Sequence, residues 1–135
     1  MNVSGKLLSF QRPLVMGILN ITPDSFYVGS RIQDKGELLT QASIMISEGA
    51  DILDIGGYSS RPGAEDISEQ EELDRVSGAV ELILNELPEA ILSVDTFRSA
   101  VAKQVLELGA HIINDISGGQ LDKNMFKVVG KFQVQ

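Results

Sequence analysis

Four short apolar runs in this chain of 135 residues each end in a residue that hydrogen-bonds in a plane: Asn20, Asp54, Asp95 and the pair Asn114-Asp115. Carboxylates accept hydrogen bonds, while amides accept and donate. A heterocycle with an amino-pyrimidinone edge asks for that mixture. An ionised aspartate takes hydrogens from ring N–H and amino groups, and an asparagine gives and receives. A site of low dielectric strengthens such pairing and penalises a wrong ligand. A second chemistry lies in Gly56-Gly-Tyr-Ser-Ser-Arg-Pro-Gly-Ala64. Arg61 is a planar, bidentate donor suited to phosphate or carboxylate, and Ser59 and Ser60 add hydroxyl donors. Each residue alone has a plainer reading. A strand-end Asp or Asn caps the next helix or fixes a turn, and an arginine in such a loop is often just solvated. Four strand ends in succession, two of them followed by glycine-rich loops, favour a shared site.

The elements that must position these residues follow from periodicity. Apolar runs at 14–19, 51–55, 90–94 and 111–113 read as short buried parallel strands. Helical spacing links Leu38, Leu39, Ala42, Met45 and Ile46, then Leu73, Val76, Val80, Ile83 and Leu87, then Val101, Ala102, Val105 and Leu108. Asp34 with Glu37, and more strongly Ser68 with Glu71, resemble capping boxes. Thr96 is a candidate cap for the third helix, and Gly49, Pro88 and Gly109 mark stops. A short helix is expected over 122–129, ending at Gly130, with Lys131 to Gln135 starting a fifth strand. Residues 1–13 form a lead-in, read as a small hairpin over the floor of the fold. In parallel α/β folds the strand ends share the face where ligands bind.

Composition narrows the function classes. The net charge of −8 and the absence of a basic cluster speak against nucleic acid. Aromatics at 5%, with no Trp, provide no base-stacking surface. An anionic ligand would therefore need local cations or a metal against the overall field. With no cysteine, disulfides and thiolate catalysis are excluded. No apolar run approaches the ~20 residues of a membrane helix, so no membrane partner is expected, and a cytoplasmic location fits. An open doubly wound sheet would suit the length. A Rossmann site is not supported, because no Gly-x-Gly-x-x-Gly follows the first strand.

Three segments resemble dihydropteroate synthase, the folate-pathway family that sulfonamide drugs target. They are Met16 to Phe26, Gly56 to Ala64, and Leu92 to Thr96 together with Ile112 to Gly119. Met-Gly-Ile-Leu-Asn-Ile-Thr-Pro-Asp-Ser-Phe is the most specific of them, and the similarity spans essentially the whole chain. The resemblance implies an α/β fold that is part of a TIM (β/α)8 barrel: about four βα units plus the start of a fifth strand, forming the N-terminal part of a pterin-binding domain over 1–135. It implies a transferase that joins 6-hydroxymethyl-7,8-dihydropterin diphosphate to p-aminobenzoate, with Mg²⁺ and cationic donors stabilising the departing diphosphate. By resemblance, Asn20 lies at the Mg²⁺–diphosphate end, as both substrate and metal ligand. Ser60 and Arg61 contact the diphosphate and shape the p-aminobenzoate pocket, Arg61 as a catalytic cation. Asp95 and Asn114 hold the pterin edge, and Asp95 also favours the transient cation. Ile116 is an apolar wall against the ring. Because one asparagine is a weak, neutral Mg²⁺ ligand, metal binding should depend on bound diphosphate.

The sequence departs from the family pattern at Val28, where many members carry Asp, and at Tyr58 and Ser60, where Glu and Thr are common. The family's later pterin-binding Asp, its Ser-x-Lys segment and its Arg-x-His pair have no counterpart here. The chain alone is therefore expected to be inactive, and to associate with a second copy or a complementary C-terminal half. A non-catalytic pterin-binding fragment or subunit and a pterin-dependent methyltransferase domain are the alternatives. The remaining polar residues have plainer expectations. His111 is structural, and Glu69 to Glu72 is a charge cluster favoured by a helix dipole. Arg98 and Lys103 are solvated on a helix, although Arg98 near its start could face the site. Asp54 bonds within the fold, Asp24 shapes a turn, and Asp115 plays a supporting part.

Overall fold

The computed structural model of the chain describes residues 2–3, 6–21, 32–58 and 66–134, and structural statements refer to these. Four parallel strands, β3 (Met16–Asn20), β4 (Ile52–Gly56), β5 (Leu92–Asp95) and β6 (Ile112–Asn114), stand side by side in chain order. Each is followed by a helix: α1 (Ile32–Ser47), α2 (Glu69–Glu86), α3 (Ser99–Leu108) and α4 (Met125–Phe132). Crossovers between parallel strands are right-handed. When every step moves to the next strand in the same direction, the helices fall on one face. Leu19, Leu53, Ile55, Leu92 and Val94 accordingly pack with Leu38, Ala42, Val76, Val80, Ile83, Val101 and Val105 in one core. A doubly wound sheet reverses direction and takes helices on both faces. The unidirectional order seen here is that of the first units of a TIM barrel.

The lead-in is a hairpin, β1 (Asn2–Val3) paired antiparallel with β2 (Lys6–Leu7). Val3 is buried with Ile52, Ile91 and Ile112, which lie where β4, β5 and β6 begin, so the hairpin covers the amino-terminal end of the sheet. Arg12 holds the same end with two bonds to Asp51, Nη1–Oδ2 at 2.9 Å and Nη2–Oδ1 at 2.5 Å. That guanidinium lowers the Asp51 pKa.

Helix ends show where local signals suffice. Ser68 caps α2, its hydroxyl accepting from Glu71 N–H at 3.1 Å. Gly49 and Gly109, at φ +108° and +109°, end α1 and α3 in the left-handed region that glycine enters without strain. Other ends differ from expectation. Helix α1 already begins at Ile32, so Asp34 and Glu37 lie within it and not at its start. Thr96 is not the cap of α3. It accepts from Arg98 N–H at 3.2 Å, and the open N–H of Ser99 is taken by Asp122 Oδ2 at 2.8 Å. Helix α4 runs through Gly130 to Phe132, so the expected start of a fifth strand is absent from the described residues. Val128 and Phe132, four apart, pack against the core, and that burial outweighs the ~1 kcal/mol a glycine costs inside a helix.

The Ser68 cap yields a direct test. Ser68→Ala should lower the unfolding free energy by about 1 kcal/mol, read as a lower urea midpoint at constant slope.

Candidate functional site

Successive side chains on a strand point to opposite faces. With Leu53, Ile55, Leu92 and Val94 directed at the helices, their neighbours line the other face. The register aligns them in rows: Ile18, Asp54, Ser93 and Ile112 in one, and Asn20, Gly56, Asp95 and Asn114 in the next, at the carboxyl ends of the strands. The glycine in the upper row leaves an opening. A Cβ at Gly56 would stand 3.6 Å from Asn20 Oδ1 and 3.9 Å from Asp95 Cβ.

Asp54 is buried beneath this row. Asn114 Nδ2 donates to Asp54 Oδ2 at 2.9 Å, reaching across β5. Asp54 Oδ1 and Ser93 Oγ, adjacent in the same row, are buried with no hydrogen-bond partner among the described residues. Unsatisfied buried polar atoms are costly; two of them on one face below a polar rim suit a ligand or water that donates hydrogen bonds. Asp95 is half-buried, and its pKa is raised to about 6, first by desolvation and then by Asp54, Glu72 and Asp115. It therefore carries its charge at neutral pH and gives it up a unit or two below.

The sequence-expected residues fall out as follows. Asn20, Asp95 and Asn114 share the upper row. Ile116 follows β6 and is 76% exposed, with its side chain in solvent. Ser60, Arg61, Asp24 and Val28 lie outside the described residues. Asp115 accepts from the N–H groups of Ser117 and Gly119, both at 2.8 Å. His111 Nδ1 accepts from Leu92 N–H at 3.1 Å, at the far end of the sheet. Among the described residues no group of three or more His, Asp or Glu is placed to hold a metal ion. Around Asn20 they offer one neutral amide, which does not amount to a Mg²⁺ site.

One sequence expectation needs correction and a second gains a detail. Arg98 is not solvated: Nη1 meets Glu72 Oε2 at 2.6 Å and Nη2 donates to Ile67 C=O at 2.7 Å. Glu69, Glu71 and Glu72 stand in the first turn of α2 as the dipole favours, but Glu72 is fully buried. The sequence did carry a signal for Glu72. It lies four residues before Val76 and so continues the apolar face through Val76, Val80 and Ile83. Beside it Arg75 Nη1 donates to Gly57 C=O at 3.2 Å. A Cβ at Gly57 would come within 2.7 Å of Val76 Cγ1, so α2 approaches this turn only because the residue is glycine.

The raised pKa of Asp95 has a consequence for stability. The folded chain holds this proton more tightly than the unfolded chain does. Folding stability is therefore lost as pH rises from the ordinary carboxylate range through about 6. Asp95→Asn should stabilise the fold at pH 7 by about 1 kcal/mol, after allowance for the half-exposed position. The gain should vanish near pH 3.5, as thermal melts at the two pH values would show.

Comparison with known proteins agrees with this geometry. A family model described as pterin binding enzyme matches residues 16–135. The mitochondrial folate synthesis bifunctional protein of Pisum sativum is 50% identical over 138 residues, covering 99% of this chain and 27% of its own length. Dihydropteroate synthase of Bacillus subtilis is 48% identical over 124 residues, covering 92% of this chain and 43% of its own. The crystal structure of 7,8-dihydropteroate synthase from Vibrio fischeri superposes with a TM-score of 0.85 at 40% identity, over 98% of this chain and 47% of that one. The chain thus spans less than half the length of each of these relatives. With four parallel strands in sequential order, a polar row at their carboxyl ends and this match over nearly its whole length, the chain belongs to the pterin binding enzyme family.

Proposed function

We propose that this chain supplies the pterin-holding wall of a dihydropteroate synthase, which joins 6-hydroxymethyl-7,8-dihydropterin diphosphate to p-aminobenzoate. The observation that carries this reading is the buried Asp54, tied to the exposed Asn114, beside Asp95. Asp54 Oδ1 has no partner among the described residues, and the Asn114 amide is oriented by its bond to Oδ2. A pterin's amino and ring N–H groups would donate to the carboxylates, and its carbonyl and ring nitrogens would meet amide donors. The relatives' shared synthase name favours this over the methyltransferase alternative.

In the proposed reaction the bond between the pterin methylene carbon and the diphosphate oxygen breaks, and its electron pair leaves with diphosphate. The methylene is left cationic. The p-aminobenzoate nitrogen attacks it, then loses a proton, giving 7,8-dihydropteroate. Asp95, ionised at neutral pH, would stabilise the transient cation from a half-buried position where a charge acts more strongly than in water. Asn20, at the rim, would face the diphosphate, with Ser60 and Arg61 as further anion donors and Ile116 against the ring. Any Mg²⁺ would arrive with the diphosphate, because the described donors do not hold one alone. No described helix is long and apolar enough to cross a membrane. The cytoplasm is the proposed compartment to test first, although the Pisum relative is named mitochondrial.

Calorimetric titration with 6-hydroxymethyl-7,8-dihydropterin tests the pocket. Asp95→Ala should weaken binding at least about tenfold, the scale of a lost hydrogen bond to a charge, and unchanged affinity would sink the assignment. In the wild type, Kd should rise as pH falls through about 6, because protonation removes the acceptor. Dihydropteroate formation, measured with and without Mg²⁺, separates catalysis from binding alone.

Ile18, on the ligand-facing side of β3, is 62% exposed, and among the described residues β3 and β6 are each paired on one side only. Such a face and such edges favour association. We propose a second copy or a complementary half as partner. Size-exclusion chromatography should show a species larger than a monomer, and a compact monomer would count against it.

A further inference from the structure

At the amino-terminal end of the sheet, where α1 and α2 run back to the starts of β4 and β5, a cavity of about 340 Å³ lies between helix ends and strands. Ala50, Leu53, Leu87 and Ile91 form its apolar walls. Two features of the sequence leave this space open. Ala50 and Ala90 lead into the two strands with side chains of a single methyl, and Pro88 turns the chain away just after α2. The volume falls at the lower end of the range of small-molecule pockets, ~300–1,000 Å³.

Charge decides what such a space would take. Asp51, Glu86 and Glu89 stand at it, and none of the residues lining it is basic. Asp51 is met from outside by Arg12. The helix ends add to the negative side. A helix presents the negative end of its dipole at its C-terminus, where cations are favoured. Neither α1 nor α2 has a basic residue in its last turn. Helix α2 instead ends in Glu86, and Glu48 follows α1. Both helix ends reach the cavity, through Ile46 and Glu86, so two negative dipole ends and an acidic edge meet on one apolar space.

A bare inorganic ion would lose its hydration against apolar walls. Among the described residues no group of three carboxylates is placed to replace that water. An organic ammonium can do both things at once, laying its apolar body along the walls and leaving its charge at the edge. We propose that this cavity is a second ligand site, one that takes a small organic ammonium ion with an apolar body. It lies at the opposite end of the sheet from Asn20, Asp95 and Asn114 and shares no residue with them.

Titration of the whole chain with 2-phenylethylammonium, followed by amide chemical shifts, tests this. Saturating shifts should appear at Ala50, Leu53, Leu87 and Ala90, with Asn20, Asp95 and Asn114 unmoved. The neutral isostere 2-phenylethanol should bind about threefold more weakly, the scale of an exposed ion pair, and phenylacetate more weakly still. Glu86 is exposed, so Glu86→Gln leaves the core intact. It should weaken the ammonium about threefold and leave the alcohol unchanged. A lack of saturation at these amides overturns the proposal. So does binding of the alcohol or of phenylacetate as tight as that of the ammonium. Shifts at the same amides that follow protein concentration, with no probe present, would place a second copy in the cavity and overturn it as well. No pterin enters the experiment, so its outcome is separate from that of the pterin assignment.

Discussion

Burial of one face of the sheet is the constraint on which the rest depends. Leu53, Ile55, Leu92 and Val94 are almost wholly shielded by the helices, and each such side chain is worth about 1.5–3 kcal/mol when fully buried. A one-residue slip of any strand would turn these side chains outward and the polar set inward. The register that keeps Leu53 beside Leu92 is therefore the same register that keeps Gly56 beside Asp95 and Asp95 beside Asn114. The site is not assembled separately from the core. It is the opposite face of the same strands.

That placement carries an electrostatic cost. Asp54, Asp95, Asp115 and Glu72 gather near one end of a chain that is already acidic. Among the described residues, only Glu72 of these four has an arginine within ion-pair distance, while Asp54 and Asp115 are held by amide and backbone N–H groups. Asp95 has neither among the described residues, and its proton is held to about pH 6. Strained electrostatics of this kind are common where a ligand supplies the missing partners. A pterin edge rich in N–H groups would relieve it.

Much of the fold was legible locally. Apolar runs of strand length, helical spacing, the Ser68–Glu71 box and the stops at Gly49 and Gly109 each rest on interactions within a few residues. The failures share a cause. Thr96 was displaced as a cap because Asp122, from a later turn, reaches Ser99 N–H. Gly130 did not stop α4 because Phe132 finds the core. In both cases a partner distant in sequence outweighed a local preference of about 1 kcal/mol.

The same division runs through the site. The sequence by itself determined the residue types Asn20, Asp95 and Asn114 at the strand ends and Asp54 within its strand, and the likeness of the surrounding motifs to one family. Those types set what could be bound, because donor and acceptor chemistry belongs to the side chain. Only the tertiary structure decided that Asp54 lies buried and tied to Asn114 while Asp95 stands half-open, and that Arg98 and Glu72 belong beside them and not in solvent. Burial, and with it the strength of a charge and the demand for a partner, is a property of what packs around a residue, and that is fixed only when distant segments meet.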